Sequence, residues 1–199
     1  MPKPPVDELE LIGGEVCLDL ANTVDPRFGE PRDDYLASYR ELVAWAAHAR
    51  ILSASEAERL VALGDRHPTQ AERVRSRAVS LREAVYALFA PGSGRTEDGL
   101  AVLNEELRAA AAHAVLVPAA DAYARVYRSG DGLDPMLWPC AQSAAELLLA
   151  PARRARTGEC DGEDCGWLYV DTSKAGRRRW CSMRSCGNRA KAQRYRARR

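Results

Sequence analysis

Four cysteines near the end of the chain have the residue type and the spacing of metal ligands. Cys160 and Cys165 form one pair, Cys181 and Cys186 form a second, and each pair encloses four residues. Fifteen residues separate the two pairs, which is the length of a short hairpin. Four thiolates fill the tetrahedral coordination of one Zn²⁺ and leave no position for water or substrate. The spacing therefore predicts a closed, structural zinc site.

Two other interpretations of these cysteines are a disulfide framework and four unrelated thiols. Residues 1–10, MPKPPVDELE, contain neither an apolar segment nor a small-residue cleavage site, so we expect no secretory signal. No apolar run approaches the ~18 residues of a membrane span. A cytoplasmic location is therefore predicted, and paired cysteines in a reducing compartment favour a metal site over disulfides. Because the cluster is confined to 27 residues, unrelated thiols are a poor explanation.

The net charge of +1 conceals two parts of opposite sign. Residues 151–199 hold 14 lysines and arginines against five acidic residues, a net charge of +9, whereas residues 1–150 carry −8. A basic segment beside an acidic body favours binding to phosphate backbones through counterion release. The alternative is a solvated tail, or one that folds back on the acidic body.

Residues 1–150 predict a helix-rich domain with a small antiparallel sheet. Residues 15–24 alternate in polarity and are predicted as a strand. Two short runs of apolar, β-branched or aromatic residues, 114–117 and 123–127, predict a hairpin with a turn of four or five residues. Capping patterns and helical spacing predict five helices, which begin near Asp33 or Asp34, Ser53, Thr69, Thr96 and Asp134. The predicted fold class is therefore α+β, and the last of these helices is expected to run towards Arg156.

The same part of the chain shows no catalytic constellation. His48, His67 and His113 are each isolated in the sequence, and no phosphate-binding loop is present. Cys17 and Cys140 have apolar neighbours and are predicted to pack in the core. The sequence therefore predicts a protein that is not an enzyme.

Residues 151–199 predict a small zinc module. The first cysteine pair would form a tight turn, residues 167–171 and 178–181 would pair as a hairpin, and a helix would run from about Gly187 to Arg196. Cys186 would then lie at the amino end of that helix, where backbone N–H groups stabilise a thiolate. This order of elements is the treble-clef arrangement.

Several strings in the chain resemble known families. Residues 180–183, WCSM, and residues 186–189, CGNR, resemble the CGNR zinc-finger family, as do residues 167–173. Gly14 with residues 17–23, CLDLANT, is similar to the opening of the ABATE domain that usually accompanies this finger. The resemblance covers nearly the whole chain. It implies a bacterial, stress-linked transcription regulator with an α+β sensor domain and a treble-clef finger.

These observations predict a zinc-dependent, DNA-binding transcription regulator. The phosphate-binding residues are expected to be Arg177, Arg178, Arg179, Arg189, Lys191, Arg194, Arg196 and Arg198. Asp19, Asn22 and Thr23 can line a pocket for a small-molecule effector, although turn and capping roles explain them equally well. A homodimer is possible. Alternatives are an RNA-binding or protein-binding adaptor and a small-molecule enzyme with an appended finger.

Overall fold

The computed structural model describes residues 4–30, 32–92, 96–128, 130 and 132–197. Helices dominate, and none in these ranges has the length and apolarity that crossing a membrane requires. The elements follow in this order: a 3₁₀ turn Val6–Glu8, α1 Val16–Ala21, β1 Val24–Asp25, β2 Asp33–Asp34, α2 Tyr39–His48, α3 Ala54–Arg66, α4 Pro68–Phe89, α5 Thr96–His113, β3 Ala114–Ala119, β4 Ala122–Tyr127, α6 Leu137–Leu148, α7 Pro151–Arg154, β5 Thr157–Glu159, β6 Leu168–Val170, a π-helical turn Met183–Gly187 and α8 Asn188–Arg196.

A short buried helix, α1, lies where the body meets the cysteine-rich region. It packs against α4, α6 and β6. The strand predicted over residues 15–24 is therefore wrong, because most of this segment is helical. A short apolar run fits a buried helix as well as a strand when nearly all its sides are covered, so periodicity cannot separate the two. The fully buried residues of α1 are Cys17, Leu18, Leu20 and Ala21.

N-cap side chains and a first-turn proline set the starts of α2, α3 and α4. The Ser38 hydroxyl accepts a hydrogen bond from the Glu41 N–H, so α2 begins after Ser38. The predicted start at Asp33 or Asp34 is wrong, because this pair forms β2. Ser53 forms the predicted reciprocal capping box of α3. Helix α4 begins at Pro68, one residue before the predicted Thr69. Proline fits this position because the N–H groups of the first turn have no acceptor within the helix, so the N–H that proline lacks is not needed there.

The predicted hairpin is present as β3 and β4. Ala119 pairs with Ala122, so the turn contains only Ala120 and Asp121 instead of four or five residues. The φ angle of Ala120 is +45°, a left-handed conformation that two-residue hairpin turns favour.

The described residues contain three two-stranded antiparallel ladders: β1 with β2, β3 with β4, and β5 with β6. The predicted helix-rich α+β class is confirmed. Helix α6 begins at Leu137 instead of Asp134. It does not continue to Arg156, because Pro151 starts a separate turn, α7, and proline cannot donate the hydrogen bond of a helix interior.

One hydrophobic core extends from the body into the cysteine-rich region. It contains the fully buried Trp45 and Trp138 of the body together with Leu168 and Tyr169 of β6. Cys17 and Cys140 also lie in this core, which confirms their predicted packing role. Burial raises the pKa of the Cys17 thiol to about 12, so it stays protonated. The candidate metal site is therefore built on the same core as the helices.

Candidate metal centre

The four cysteines predicted as metal ligands lie together. Their Sγ atoms all lie within 4.8 Å of one another, and all four residues are buried. The Sγ atoms of Cys165 and Cys181 are 3.7 Å apart, and those of Cys181 and Cys186 are 3.5 Å apart. A tetrahedral Zn²⁺ with Zn–S bonds of about 2.3 Å requires sulfur separations of ~3.8 Å. The donor set and its dimensions therefore fit one such ion.

The first cysteine pair lies in the turn between β5 and β6, residues 160–165, which we call the knuckle. The Cys160 N–H donates to the Trp167 C=O at 2.9 Å and so continues the ladder past the end of β5. The Gly162 N–H donates to Cys160 Sγ at 3.3 Å. A Cβ atom at Gly162 would lie 2.7 Å from Cys186 Sγ, so the packed site requires glycine here.

Strand β6 pairs with β5 and not with residues 178–181, so the predicted finger hairpin is wrong. The register places Thr157 opposite Val170 and Glu159 opposite Leu168. The Arg178 N–H donates to the Asp171 carboxylate at 2.9 Å instead of to a carbonyl group of β6. Residues 178–181 reach the knuckle by another bond, from the Asp161 N–H to the Arg179 C=O at 2.9 Å.

Asp171 organises the loop that follows β6. Its two carboxylate oxygens accept from the Ser173 N–H at 2.8 Å and from the Arg178 N–H at 2.9 Å. Hydrogen bonds from Ser173 and Arg178 lower the pKa of Asp171 to about 2. The loop is thus held by a charged acceptor where the sequence predicted the end of a strand.

The second cysteine pair leads into α8. The Cys181 N–H donates to Cys160 Sγ at 3.1 Å, which joins the two pairs. Cys186 lies in the π-helical turn immediately before α8, so the predicted helix after this ligand is confirmed. A Cβ atom at Gly187 would lie 2.7 Å from Met183 Sδ, so the exposed Met183 side chain packs directly over this glycine.

The polar groups around the sulfur atoms favour thiolates. The Arg189 guanidinium donates to Cys186 Sγ at 3.2 Å. Hydrogen bonds from Cys165 and Cys181 lower the pKa of Cys160, whereas the hydrogen bond to Cys160 raises the pKa of Cys165. The thiols therefore share protons unequally within one cluster, and a divalent cation would replace those protons.

Hydrogen bonds from backbone and side-chain groups join β6 and the preceding Trp167 to the body. The Asn22 amide pairs with both backbone groups of Leu168: its Nδ2 donates to the C=O at 2.9 Å, and its Oδ1 accepts from the N–H at 2.8 Å. The Val170 N–H donates to the Gly13 C=O at 2.8 Å. The Trp167 indole N–H donates to the Val24 C=O at 3.0 Å. Residues of the body thus take the place of a third strand beside β6.

The segment after β1 also contacts the knuckle. The Arg27 N–H donates to the Cys165 C=O at 3.1 Å, and the Phe28 N–H donates to the Asp164 C=O at 2.9 Å. The buried Arg27 guanidinium donates to Glu83 and to the Ala21 C=O, each at under 3 Å. Arg27 was not predicted from the sequence, because no motif or periodicity marks an arginine that reaches from a loop into the core.

Arg178, predicted to bind phosphate, is bound within the protein. Its guanidinium donates to the carbonyl groups of Trp180, Cys181 and Ile12, and Ile12 belongs to the body. The guanidinium also lies 4.2 Å above the ring of Tyr169. In this structure Arg178 therefore connects the residues before the third ligand to the body.

The other basic residues predicted at the interface lie in different environments. Arg179 donates to Asp161 at 2.7 Å, and Arg189 contacts the cysteine cluster. Arg198 lies outside the described residues. Apart from the half-buried Arg178, every described member of the set is exposed: Arg177, Arg179, Arg189, Lys191, Arg194 and Arg196.

The three residues predicted to bind an effector all have partners inside the protein. Asp19 accepts from the Gly13 N–H at 2.8 Å, and the Thr23 hydroxyl donates to the Leu20 C=O at 2.8 Å. Asn22 and Thr23 are buried, and Asn22 binds β6 as described above. Burial raises the pKa of Asp19 to about 6. Their ligand-binding role stays a prediction, whereas their structural contacts are established by this geometry.

Comparison with known protein families divides the chain into two matched regions. Residues 14–151 match the ABATE family model, which is described as a putative stress-induced transcription regulator. Residues 156–199 match the CGNR zinc-finger model, so the four cysteines and α8 lie within that match. Neither description is that of an enzyme family. A search of curated proteins finds no match.

Proposed function

The chain belongs to the ABATE family and carries a CGNR zinc finger, and we propose that it is a zinc-dependent, DNA-binding transcription regulator. The proposal includes a cytoplasmic location, no enzymatic activity and two modules, residues 1–150 and 151–199, that share one core. The order of knuckle, loop and ligand-bearing turn before a helix supports a treble-clef arrangement.

Zinc is the metal that the donor set favours. Cys160, Cys165, Cys181 and Cys186 would hold it, and four thiolates suit Zn²⁺ better than the oxygen-preferring Mg²⁺ or Ca²⁺. The metal would supply a structural cross-link between β5, β6 and α8, since no coordination position would be left for a reacting molecule. The protein residues would keep the sulfur atoms ionised through N–H groups and Arg189.

The observation that carries DNA binding is the exposed basic surface of α8. The structure describes all nine residues of α8, and none of them is buried. Lys191, Arg194 and Arg196 are exposed on this helix, and Arg177 is exposed on the preceding loop. A helix that is polar on all sides and attached to a rigid metal site is suited to contacts with phosphates, because the site fixes where its charges lie.

The proposed regulation acts where the body meets the finger. A cleft of about 190 Å³ lies there, and Glu8, Asp25, Tyr35 and Arg189 contribute to its walls. A small-molecule effector or a partner at this junction would change the finger through Asn22 and β6, with Asp19 and Thr23 supporting α1 and its end. We also propose that the protein forms a homodimer, because two fingers related by symmetry would recognise two DNA half-sites.

The test is fluorescence anisotropy of the zinc-loaded protein with random duplex DNA over a salt series. The variant Lys191→Ala/Arg194→Ala/Arg196→Ala is expected to keep its zinc and to lower the log–log salt slope by roughly 1 for each phosphate that the variant no longer neutralises. The matched control is Arg66→Ala/Arg73→Ala/Arg128→Ala, which removes three exposed arginines outside the finger. Equal slopes for both variants would contradict the role of α8. Absence of binding by the wild type at low salt would overturn DNA binding itself.

A further inference from the structure

The side of α8 that faces the knuckle is bordered by acidic groups. A cavity of about 580 Å³ separates the two, and Arg189, Ala190 and Gln193 of α8 line it. These three residues share one side of the helix, because residues three and four positions apart are neighbours on a helical surface. On the opposite wall lie Asp161, Glu163 and Asp164 of the knuckle.

One hydrogen bond from α8 crosses this cavity, and an ion pair with the loop before Cys181 holds the acidic wall from outside the helix. Gln193 Nε2 donates to Glu163 Oε2 at 2.6 Å, and Arg179 Nε donates to Asp161 Oδ2 at 2.7 Å. A zinc ion with four thiolates would add a net charge of −2 behind the same wall. Phosphate groups that approach this side of α8 would meet unfavourable charge, although the helix as a whole is basic.

The residues on the opposite side of α8 do not line this cavity. Asn188, Lys191 and Tyr195 are three and four residues apart on α8 and therefore share one face. Arg184 lies in the preceding π-helical turn, and its C=O accepts from Asn188 Nδ2 at 3.3 Å, which places Arg184 beside that face. All four residues are exposed. We call these residues the outer stripe. They offer cationic and hydrogen-bonding groups along a helix of about 14 Å.

We propose that the outer stripe is the surface that enters the major groove of B-form DNA, with the acidic knuckle turned away from the phosphates. This inference rests on the proposed DNA-binding function and adds the orientation and the form of the nucleic acid. The major groove of B-DNA is about 12 Å wide and admits an α-helix, whereas that of A-form RNA is too deep and narrow. Arginine and lysine donors suit the guanine edge in that groove, and an asparagine amide suits adenine.

Charge removal on the knuckle tests the orientation by a gain of affinity. Glu163→Gln/Asp164→Asn removes two charges, and asparagine tolerates the left-handed φ of +60° at residue 164. We expect duplex DNA to bind about threefold more tightly at low salt, and the gain to vanish at high salt, because repulsion from the knuckle is screened. The control Glu58→Gln/Glu97→Gln removes two exposed charges of the body and should bind as the wild type does.

Photo-crosslinking then distinguishes the two sides of the helix. Benzoylphenylalanine replaces Tyr195 in one variant and Gln193 in the other, and each is irradiated with duplex DNA. The proposal predicts crosslinks from position 195 only. Crosslinks mainly from position 193, unchanged affinity of the knuckle variant, or equal binding of an RNA duplex would each overturn it. These failures differ from failure of the proposed function, in which the wild type binds no nucleic acid at all.

Discussion

The two halves of the zinc finger relate differently to the rest of the molecule. The inner half, β5 and β6 with the knuckle, donates and accepts backbone hydrogen bonds with the body and contributes Leu168 to its core. The outer half, α8, has no buried residue among the nine that the structure describes. The cysteine cluster lies between the two halves. The finger is therefore better understood as an extension of the body that presents one exposed helix.

Arginine has a different role in each half. In the segments that flank the inner half, Arg156 and Arg178 donate to backbone carbonyl groups, such as the Asp171 C=O for Arg156. Arg27 of the body does the same beneath the knuckle. In the outer half, Arg189 donates to Cys186 Sγ, whereas Lys191, Arg194 and Arg196 are exposed to solvent. Beside irregular loops, guanidinium groups donate to carbonyl groups that lack a partner in a helix or strand, and so they stabilise the fold. On α8 the backbone carbonyl groups are paired within the helix, so exposed cations there remain available to bind other molecules.

The largest effect that would test this contrast is loss of the metal. Cys186→Ala is expected to release the metal and to destabilise the body as well as the finger, because both share one core. The loss is on the order of 10 kcal/mol, comparable with the whole stability of a domain. Calorimetry with metal analysis measures it, and Cys140→Ala, a buried thiol outside the cluster, is the control. A body transition that keeps its melting temperature would contradict the shared core.

A smaller effect is expected at the junction itself. Asn22→Ala would leave the buried N–H and C=O groups of Leu168 unpaired, at a cost of about 2–4 kcal/mol. Urea unfolding measures the change, and Asn104→Ala on the exposed side of α5 should alter stability by no more than about 0.5 kcal/mol. If both variants unfold at the same urea concentration, Asn22 does not connect the finger to the body.

The smallest effect compares two neighbouring arginines. Arg178→Ala removes donors from several carbonyl groups and is expected to cost about 2 kcal/mol of stability. Arg177→Ala should leave stability within about 0.5 kcal/mol of the wild type and weaken DNA binding instead. Thermal unfolding and anisotropy, applied to both variants, separate the roles. Equal losses of stability would show that the assignment of Arg178 as an internal connection is wrong.

The sequence predicted the features that depend on local chemistry. Cysteine spacing indicated the metal ligands, and capping patterns indicated the starts of helices, most closely that of α3 after Ser53. It failed at α1, because a short apolar segment has no distinctive period once it is covered on nearly all sides. It also failed for the partner of β6, since Thr157–Glu159 is too short to have a strand pattern and pairs only because the knuckle brings it there.

The different roles of neighbouring arginines could not be predicted from the sequence. Arg177, Arg178 and Arg179 are identical in type and adjacent, yet only the fold determines which of them meets a carbonyl, a carboxylate or solvent. The contact between Asn22 and Leu168 was hidden for the same reason. An amide that replaces a strand partner across 146 positions leaves no local pattern.

Hydrogen exchange on the zinc-loaded protein tests the central contrast most directly. Exchange is followed in peptides that contain β6, α8, and α1 or α4 of the body core. We predict that amides of β6, including Leu168 and Val170, exchange as slowly as those of the body core, whereas amides of α8 exchange much faster. If β6 exchanged as fast as α8 while the body core remained protected, the finger would be an independent module and not an extension of the body.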